Sequence, residues 1–262
     1  MSKISKALEK ARQERGEEIS AFEDAPKRTE APEAPAKSFS ATKVVPLCDV
    51  HQEQHRILTA IRDPAVMDRY DLLRTQILMR TRDKGWNTLM ITSVKPGEGK
   101  TLTAINLALS MAREAEQTAL LVGTNLRNPQ IACYLGLEEG AMGLSEYLLE
   151  DVPVSQLLVN PGIENLVVLP AGRPMRETTD IFGLPKMKQL VSELKTRYPD
   201  RYVIYDCPHI LDMPDTLVFS SYVDAVVLVV EADRTPRKDI LTALKTLEGR
   251  SIVGLVMNKA LH

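Results

Sequence analysis

Thr88-Leu89-Met90-Ile91-Thr92 runs straight into Ser93-Val94-Lys95-Pro96-Gly97-Glu98-Gly99-Lys100-Thr101, and a helical apolar pattern continues from there to about Glu114. Five residues of strand character, a glycine-rich turn and a helix start are the reading that decides the fold. Gly97 and Gly99 let the backbone curl, so that several N–H groups can point at one anion. The helix that follows adds the positive end of its dipole. Lys100 is placed to reach outer phosphates, and the Thr101 hydroxyl to ligate magnesium. Pro96, Gly97, Glu98, Gly99, Lys100, Thr101 and Leu102 form the expected nucleotide-binding loop. The general phosphate-loop pattern has glycine where this chain has Val94. The strand–loop–helix context supports the reading against a ligand-free glycine turn.

Working outward, further apolar runs are strand candidates: Thr118–Val122, Leu166–Leu169, Tyr202–Tyr205, Ala225–Val230 and Ile252–Met257. Such continuous runs suit strands covered on both faces. Helical patterns fall at Ala65–Arg82, Lys100–Glu114, Pro185–Tyr198 and Pro236–Leu247, the last with Thr235 as the expected N-cap and Pro236 at its first position. Alternating strands and helices predict an α/β, doubly wound, mainly parallel sheet. Asp206 closes the run Tyr202-Val203-Ile204-Tyr205, where a carboxylate can hold a magnesium-bound water. The expected catalytic pair is Lys100 and Asp206, and the expected magnesium pair is Thr101 and Asp206.

Ahead of this domain, Ser2 to Arg15 reads as a short helix with Ile4, Ala7, Leu8 and Ala11 on one face, either solvated or docking a partner. From Gly16 to about Pro46 the chain is rich in Glu, Ala, Pro and Lys, too polar to offset its ordering entropy. We therefore divide the chain into an N-terminal helix (1–15), a flexible linker (16–60) and a nucleotide-binding domain (61–262). A net charge of −2 gives no reason to expect nucleic acid as a partner. Cys48, Cys133 and Cys207 have no metal-ligand spacing. No apolar run approaches a bilayer span and the N-terminus lacks a signal-peptide core, so a cytoplasmic protein without direct membrane insertion is expected.

The residues now on the page resemble the bacterial tyrosine kinases of exopolysaccharide loci in their short cytoplasmic form. The resemblance covers roughly residues 65 to 260, with an echo in Lys3-Ile4-Ser5-Lys6-Ala7-Leu8-Glu9-Lys10-Ala11. It is carried by Pro96–Thr101, Ala104-Ile105-Asn106-Leu107-Ala108, Leu126-Arg127-Asn128-Pro129, Gly143-Leu144-Ser145-Glu146-Tyr147-Leu148, Leu169-Pro170-Ala171-Gly172, Arg201–Asp206 and Gly254-Leu255-Val256-Met257-Asn258-Lys259. It implies a P-loop fold related to Min and Par ATPases, ATP and Mg2+ as cofactors, and an adenine contact at Asn258. It also implies a homo-oligomer and a membrane-bound activator of the polysaccharide co-polymerase (chain-length determinant) group.

Four departures bear on activity. The family's Asp-x-Asp before the Leu-Arg pair is Gly123-Thr124-Asn125 here, and neither glycine nor asparagine can serve as a base near neutral pH. Asp212 and Asp215 are the candidate replacements. A proline of the family is His209, read as a neutral surface residue in preference to one backing the site. The oligomerisation motif reads Asp68, Asp71, Arg74, with a reversed sign at Asp71. The chain ends Lys259-Ala260-Leu261-His262 without a tyrosine cluster, and its seven tyrosines read as packed or structural. The expected function is an ATP-binding regulator of exopolysaccharide biosynthesis or export with weak or lost phosphotransfer. One alternative is an active protein-tyrosine kinase using a substitute carboxylate. Another is a partition-type regulatory ATPase, for which Lys95 would be the second loop lysine. Lys100 and Thr101 speak against a scaffold that binds no nucleotide.

Overall fold

Thr88–Ser93 is a strand with all six residues buried, and two further strands flank it in parallel. The computed structural model describes residues 43–45, 49–61, 63–114, 116–137, 140–197 and 200–260. Eight strands form one sheet: β1 (Lys43–Val44), β2 (Thr88–Ser93), β3 (Thr118–Gly123), β4 (Val159–Asn160), β5 (Leu166–Leu169), β6 (Arg201–Asp206), β7 (Ala225–Glu231) and β8 (Ile252–Asn258). Their order is β1-β4-β5-β3-β6-β2-β7-β8. Every pairing is parallel except β4 with β5. The doubly wound reading is therefore correct. The two strands that it lacked, β1 and β4, are two residues long and too short to show a period.

The described helices are α1 (Asp49–Gln54), α2 (Pro64–Thr81), α3 (Lys100–Ala112), α4 (Ile131–Leu135), α5 (Leu144–Glu150), α6 (Val154–Leu157), α7 (Thr179–Phe182), α8 (Pro185–Thr196), α9 (Pro214–Phe219) and α10 (Arg237–Thr246). Helix α2 starts cleanly because the Asp63 carboxylate accepts the Ala65 N–H at 2.9 Å and Pro64 needs no N–H partner. Helix α3 is buried almost all round, from Thr103 to Ala112, between the sheet and α2. Each fully buried Leu, Ile or Met there contributes about 1.5–3 kcal/mol. The helix that carries the phosphate loop is thus the most firmly embedded in the domain.

Two expectations are corrected. The linker expected through residue 60 contains helix α1, and Ile57 and Leu58 inside it are core residues. Asn106 of α3 explains this: its Oδ1 accepts the Leu58 N–H at 3.0 Å and its Nδ2 donates to the Arg56 carbonyl at 3.2 Å. A polar side chain on a core helix holds the segment by its backbone, which no local pattern reveals. Thr235 does not cap α10; Pro236 occupies that position and the Thr235 hydroxyl is used elsewhere. The expected helix at 2–15 lies outside the described residues, as do Cys48 and the linker up to residue 42. No helix among the described residues is long and apolar enough to cross a membrane.

Candidate nucleotide-binding site

The loop leaves β2 at the C-terminal edge of the sheet, where open α/β folds place their ligands. Gly97 (φ +83°) and Gly99 (φ +95°) take left-handed backbone conformations, and Gly99 caps α3 without a side chain. Val94, at the place of a family glycine, is fully buried and its N–H still reaches the Val229 carbonyl at 3.4 Å. It prolongs the ladder between β2 and β7, so the loop turns only after it and needs no glycine there. The Glu98 carboxylate accepts the Lys95 N–H at 2.9 Å and the Thr235 hydroxyl at 2.5 Å. Lys95 Nζ pairs with Asp239 of α10 at 2.5 Å. Asn258 Nδ2 donates to the Glu98 carbonyl at 2.9 Å, and Lys259 Nζ to the Gly97 carbonyl at 2.8 Å. Leu102, in the first turn of α3, packs its side chain against the core, so only its backbone N–H is suited to an anion.

Asp206 ends β6 directly opposite Gly123 of β3. Its Oδ2 accepts the Thr101 hydroxyl at 2.9 Å, and its Oδ1 is buried without a partner. Burial pushes the carboxyl up to about 6, against the opposing pull of Lys100 and the Thr101 hydrogen bond. An orphaned carboxylate oxygen beside a loop threonine and a lysine fits a hydrated magnesium ion carrying phosphates, which would complete the coordination that the protein leaves open. The structure thus brings together Gly97, Gly99, Lys100, Thr101 and Asp206, and adds Asn258 from β8.

Around this centre the other acids are committed to partners or exposed to solvent. Gly123 carries no carboxylate, and a Cβ there would lie 2.8 Å from the Ala171 backbone nitrogen. Asn125 is buried and accepts the Asn128 N–H at 3.4 Å. Asp215 is held by Arg127 Nε at 2.9 Å and by the hydroxyls of Thr178 and Thr179. Burial alone would raise its pKa, but these donors hold it below the ordinary value. The Asp212 side chain is 82% exposed and 3.9 Å from His209 Nε2. His209 itself is not a surface residue: burial, then the Lys100 charge, lowers its pKa and keeps it neutral beside the site.

Two features of the surroundings matter for assembly and substrate. Asp71 and Arg74 of α2 turn inward: Ser110 Oγ donates to Asp71 at 2.6 Å, and Arg74 reaches the Ser110 carbonyl at 2.7 Å. Of that expected oligomerisation triplet only Asp68 is exposed. No described tyrosine is exposed. Tyr202 shares a 2.9 Å hydrogen bond with Thr81, and Tyr222 donates to the Phe182 carbonyl at 3.0 Å. The links from Lys259 to Gly97 and from Thr235 to Glu98 escaped sequence reasoning. Each joins residues more than a hundred positions apart, and no periodic signal marks them.

Comparison with known proteins agrees with this geometry. Residues 86–249 match the family described as an AAA domain. The tyrosine-protein kinase YwqD of Bacillus subtilis is 30% identical over 207 residues, covering 78% of this chain and 86% of YwqD. The tyrosine-protein kinase CpsD of Streptococcus pneumoniae serotype 4 is 33% identical over 192 residues, covering 72% of this chain and 82% of CpsD. The crystal structure of the VpsO kinase domain superposes with a TM-score of 0.67 at 27% identity, covering 75% of this chain and 97% of that one. With the phosphate loop, the strand-end aspartate and the sheet order all in place, the chain belongs to the bacterial tyrosine-protein kinase family of P-loop proteins.

Proposed function

We propose that this chain is an ATP- and Mg2+-binding regulator of exopolysaccharide biosynthesis or export whose phosphotransfer is weak or lost. One observation carries the reading: Asp206 is the lone carboxylate bonded to the phosphate loop's threonine, and its strand-end neighbour across the sheet is Gly123. In-line phosphoryl transfer needs a group that orients the attacking hydroxyl and accepts its proton, besides the metal ligands. Asp215 is occupied by Arg127, Thr178 and Thr179, so it is poorly suited to that task. Magnesium held by Thr101 and Asp206 would neutralise phosphate charge, which stabilises nucleotide binding whether or not transfer follows. Lys100 would pair with the outer phosphates, and the loop amides would take the remaining oxygens.

In this reading the protein works in the cytoplasm, brought to the membrane by a polysaccharide co-polymerase of the chain-length determinant group. Nucleotide occupancy sets its conformation or its assembly. Asp68, Asp71 and Arg74 are an unfavourable ring contact, since two of the three already serve α3. The purified chain should bind Mg·ATP, turn it over negligibly, and show no phosphotyrosine by mass spectrometry, alone or with its activator. Robust phosphorylation of a polysaccharide-pathway protein by the wild-type chain would overturn the proposal.

A second reading, an active kinase, draws on Asp212. It is an exposed carboxylate on the loop after β6, near His209. If wild-type transfer is found and Asp212→Asn abolishes it while ATP binding persists, that reading stands.

A further inference from the structure

The end of β8 touches the phosphate loop at two consecutive carbonyls. Lys259 Nζ lies 2.8 Å from the Gly97 oxygen and Asn258 Nδ2 lies 2.9 Å from the Glu98 oxygen. In a trans peptide the C=O and the following N–H point in opposite directions, and no described peptide bond is cis. Fixing those two carbonyls therefore fixes the N–H groups of Glu98 and Gly99 toward the other side of the loop. Concave arrays of such amides are what bind phosphate. From this geometry we infer that Asn258 and Lys259 are positioning residues that hold the loop's amides in their anion-binding orientation. The inference rests on the nucleotide-binding reading of the loop.

Three observations support it. Lys259 has φ +59°, an uncommon conformation for a side chain with a Cβ, directly after the last residue of β8. Glu231 at the end of β7 accepts the Lys259 ammonium at 3.0 Å, so the lysine is gripped from both sides. The carboxamide of Asn258 fills the space above Gly99, where a Cβ would lie 2.0 Å from Nδ2. One hydrogen of Nδ2 is used on the backbone, which leaves the second hydrogen and the Oδ1 acceptor for other partners. The ligand group that this arrangement serves is the polyphosphate of a nucleotide.

The test uses the full chain with magnesium and three probes: ATP, GTP and inorganic tripolyphosphate. Lys259→Met should weaken all three by a common factor of about ten, the worth of one charge-assisted hydrogen bond, with the ATP-to-GTP ratio unchanged. Asn258→Ala should act in the same direction on all three probes. Lys259→Arg keeps a donor and should recover most of the affinity. Glu231→Gln, which loosens the lysine without removing it, should give a smaller loss of the same pattern; it serves if Lys259→Met folds poorly by thermal melt. A changed ATP-to-GTP ratio with tripolyphosphate binding intact would assign these residues to the base and overturn the inference. Unaltered binding of every probe in the variants would overturn it as well. If the wild type binds neither ATP nor tripolyphosphate, the nucleotide reading falls first and this inference with it.

Discussion

The Thr101 hydroxyl donates to Asp206 Oδ2 at 2.9 Å while Asp206 Oδ1, equally buried, has no partner. Half of the carboxylate is thus used to orient the loop threonine and half is left for a cation. Burial holds this carboxyl near 6, so its protonation competes with metal binding. Magnesium-dependent ATP affinity should be full at neutral pH and fall as pH drops through about 6. Isothermal titration across that range checks it, and Asp206→Asn should remove the pH dependence together with most of the metal dependence.

The same shift carries a stability consequence with a definite sign. The native carboxyl keeps its proton to about 6, whereas the unfolded one releases it near 3.8. Between those values the native state binds more protons, so ligand-free stability declines as pH rises through the window. At neutral pH the full penalty, about 3 kcal/mol, is present. Asp206→Asn should therefore stabilise the ligand-free chain at neutral pH by about 2–3 kcal/mol in urea melts. A destabilised variant would show that the Lys100 attraction outweighs the burial of the charge.

Asp215 behaves oppositely. It is buried, yet Arg127, Thr178 and Thr179 all donate to it, and its pKa is lowered. Its contribution is present above the ordinary carboxylate range and is lost as pH falls through the lower native value. Asp215→Asn should cost about 2–3 kcal/mol, because it leaves the Arg127 guanidinium without its charged partner. It should also flatten the acid side of the stability profile, measured as melting temperature against pH.

Positions 123 and 125 should respond differently to introduced acids. Gly123→Asp puts a Cβ 2.8 Å from the Ala171 nitrogen, a backbone atom that cannot rotate away. A loss of about 2 kcal/mol or more is expected, the scale of overpacking. Asn125→Asp keeps the acceptor for the Asn128 N–H and should stay within about 1 kcal/mol of the parent. Asn125→Asp is thus the variant in which to look for gained ATP turnover, with urea denaturation of both to confirm the contrast.

Sequence reading reached the fold through its strands because a buried parallel strand writes itself as an unbroken apolar run, as in Ala225–Glu231. The phosphate loop and Asp206 were equally visible, since both lie beside such runs. What stayed hidden depends on partners distant in the chain. Thr235 before a proline has the local signature of a cap, but Glu98, 137 positions away, takes its hydroxyl. Asn106 reads as one polar residue on a core helix until the backbone of Arg56 and Leu58 is seen against it. His209 read as a surface residue because nothing local reports its burial next to Lys100.

The closeness of Gly123 to Ala171 has a consequence for how this chain can change. A carboxylate can be placed at 123 only if the backbone after β5 moves aside, and that backbone also accepts the first turn of α5 through the carbonyls of Pro170 and Ala171. The two positions are therefore epistatic, and the glycine works as a ratchet. Single substitutions that approach an aspartate at 123 meet a barrier of packing before they reach any benefit of chemistry.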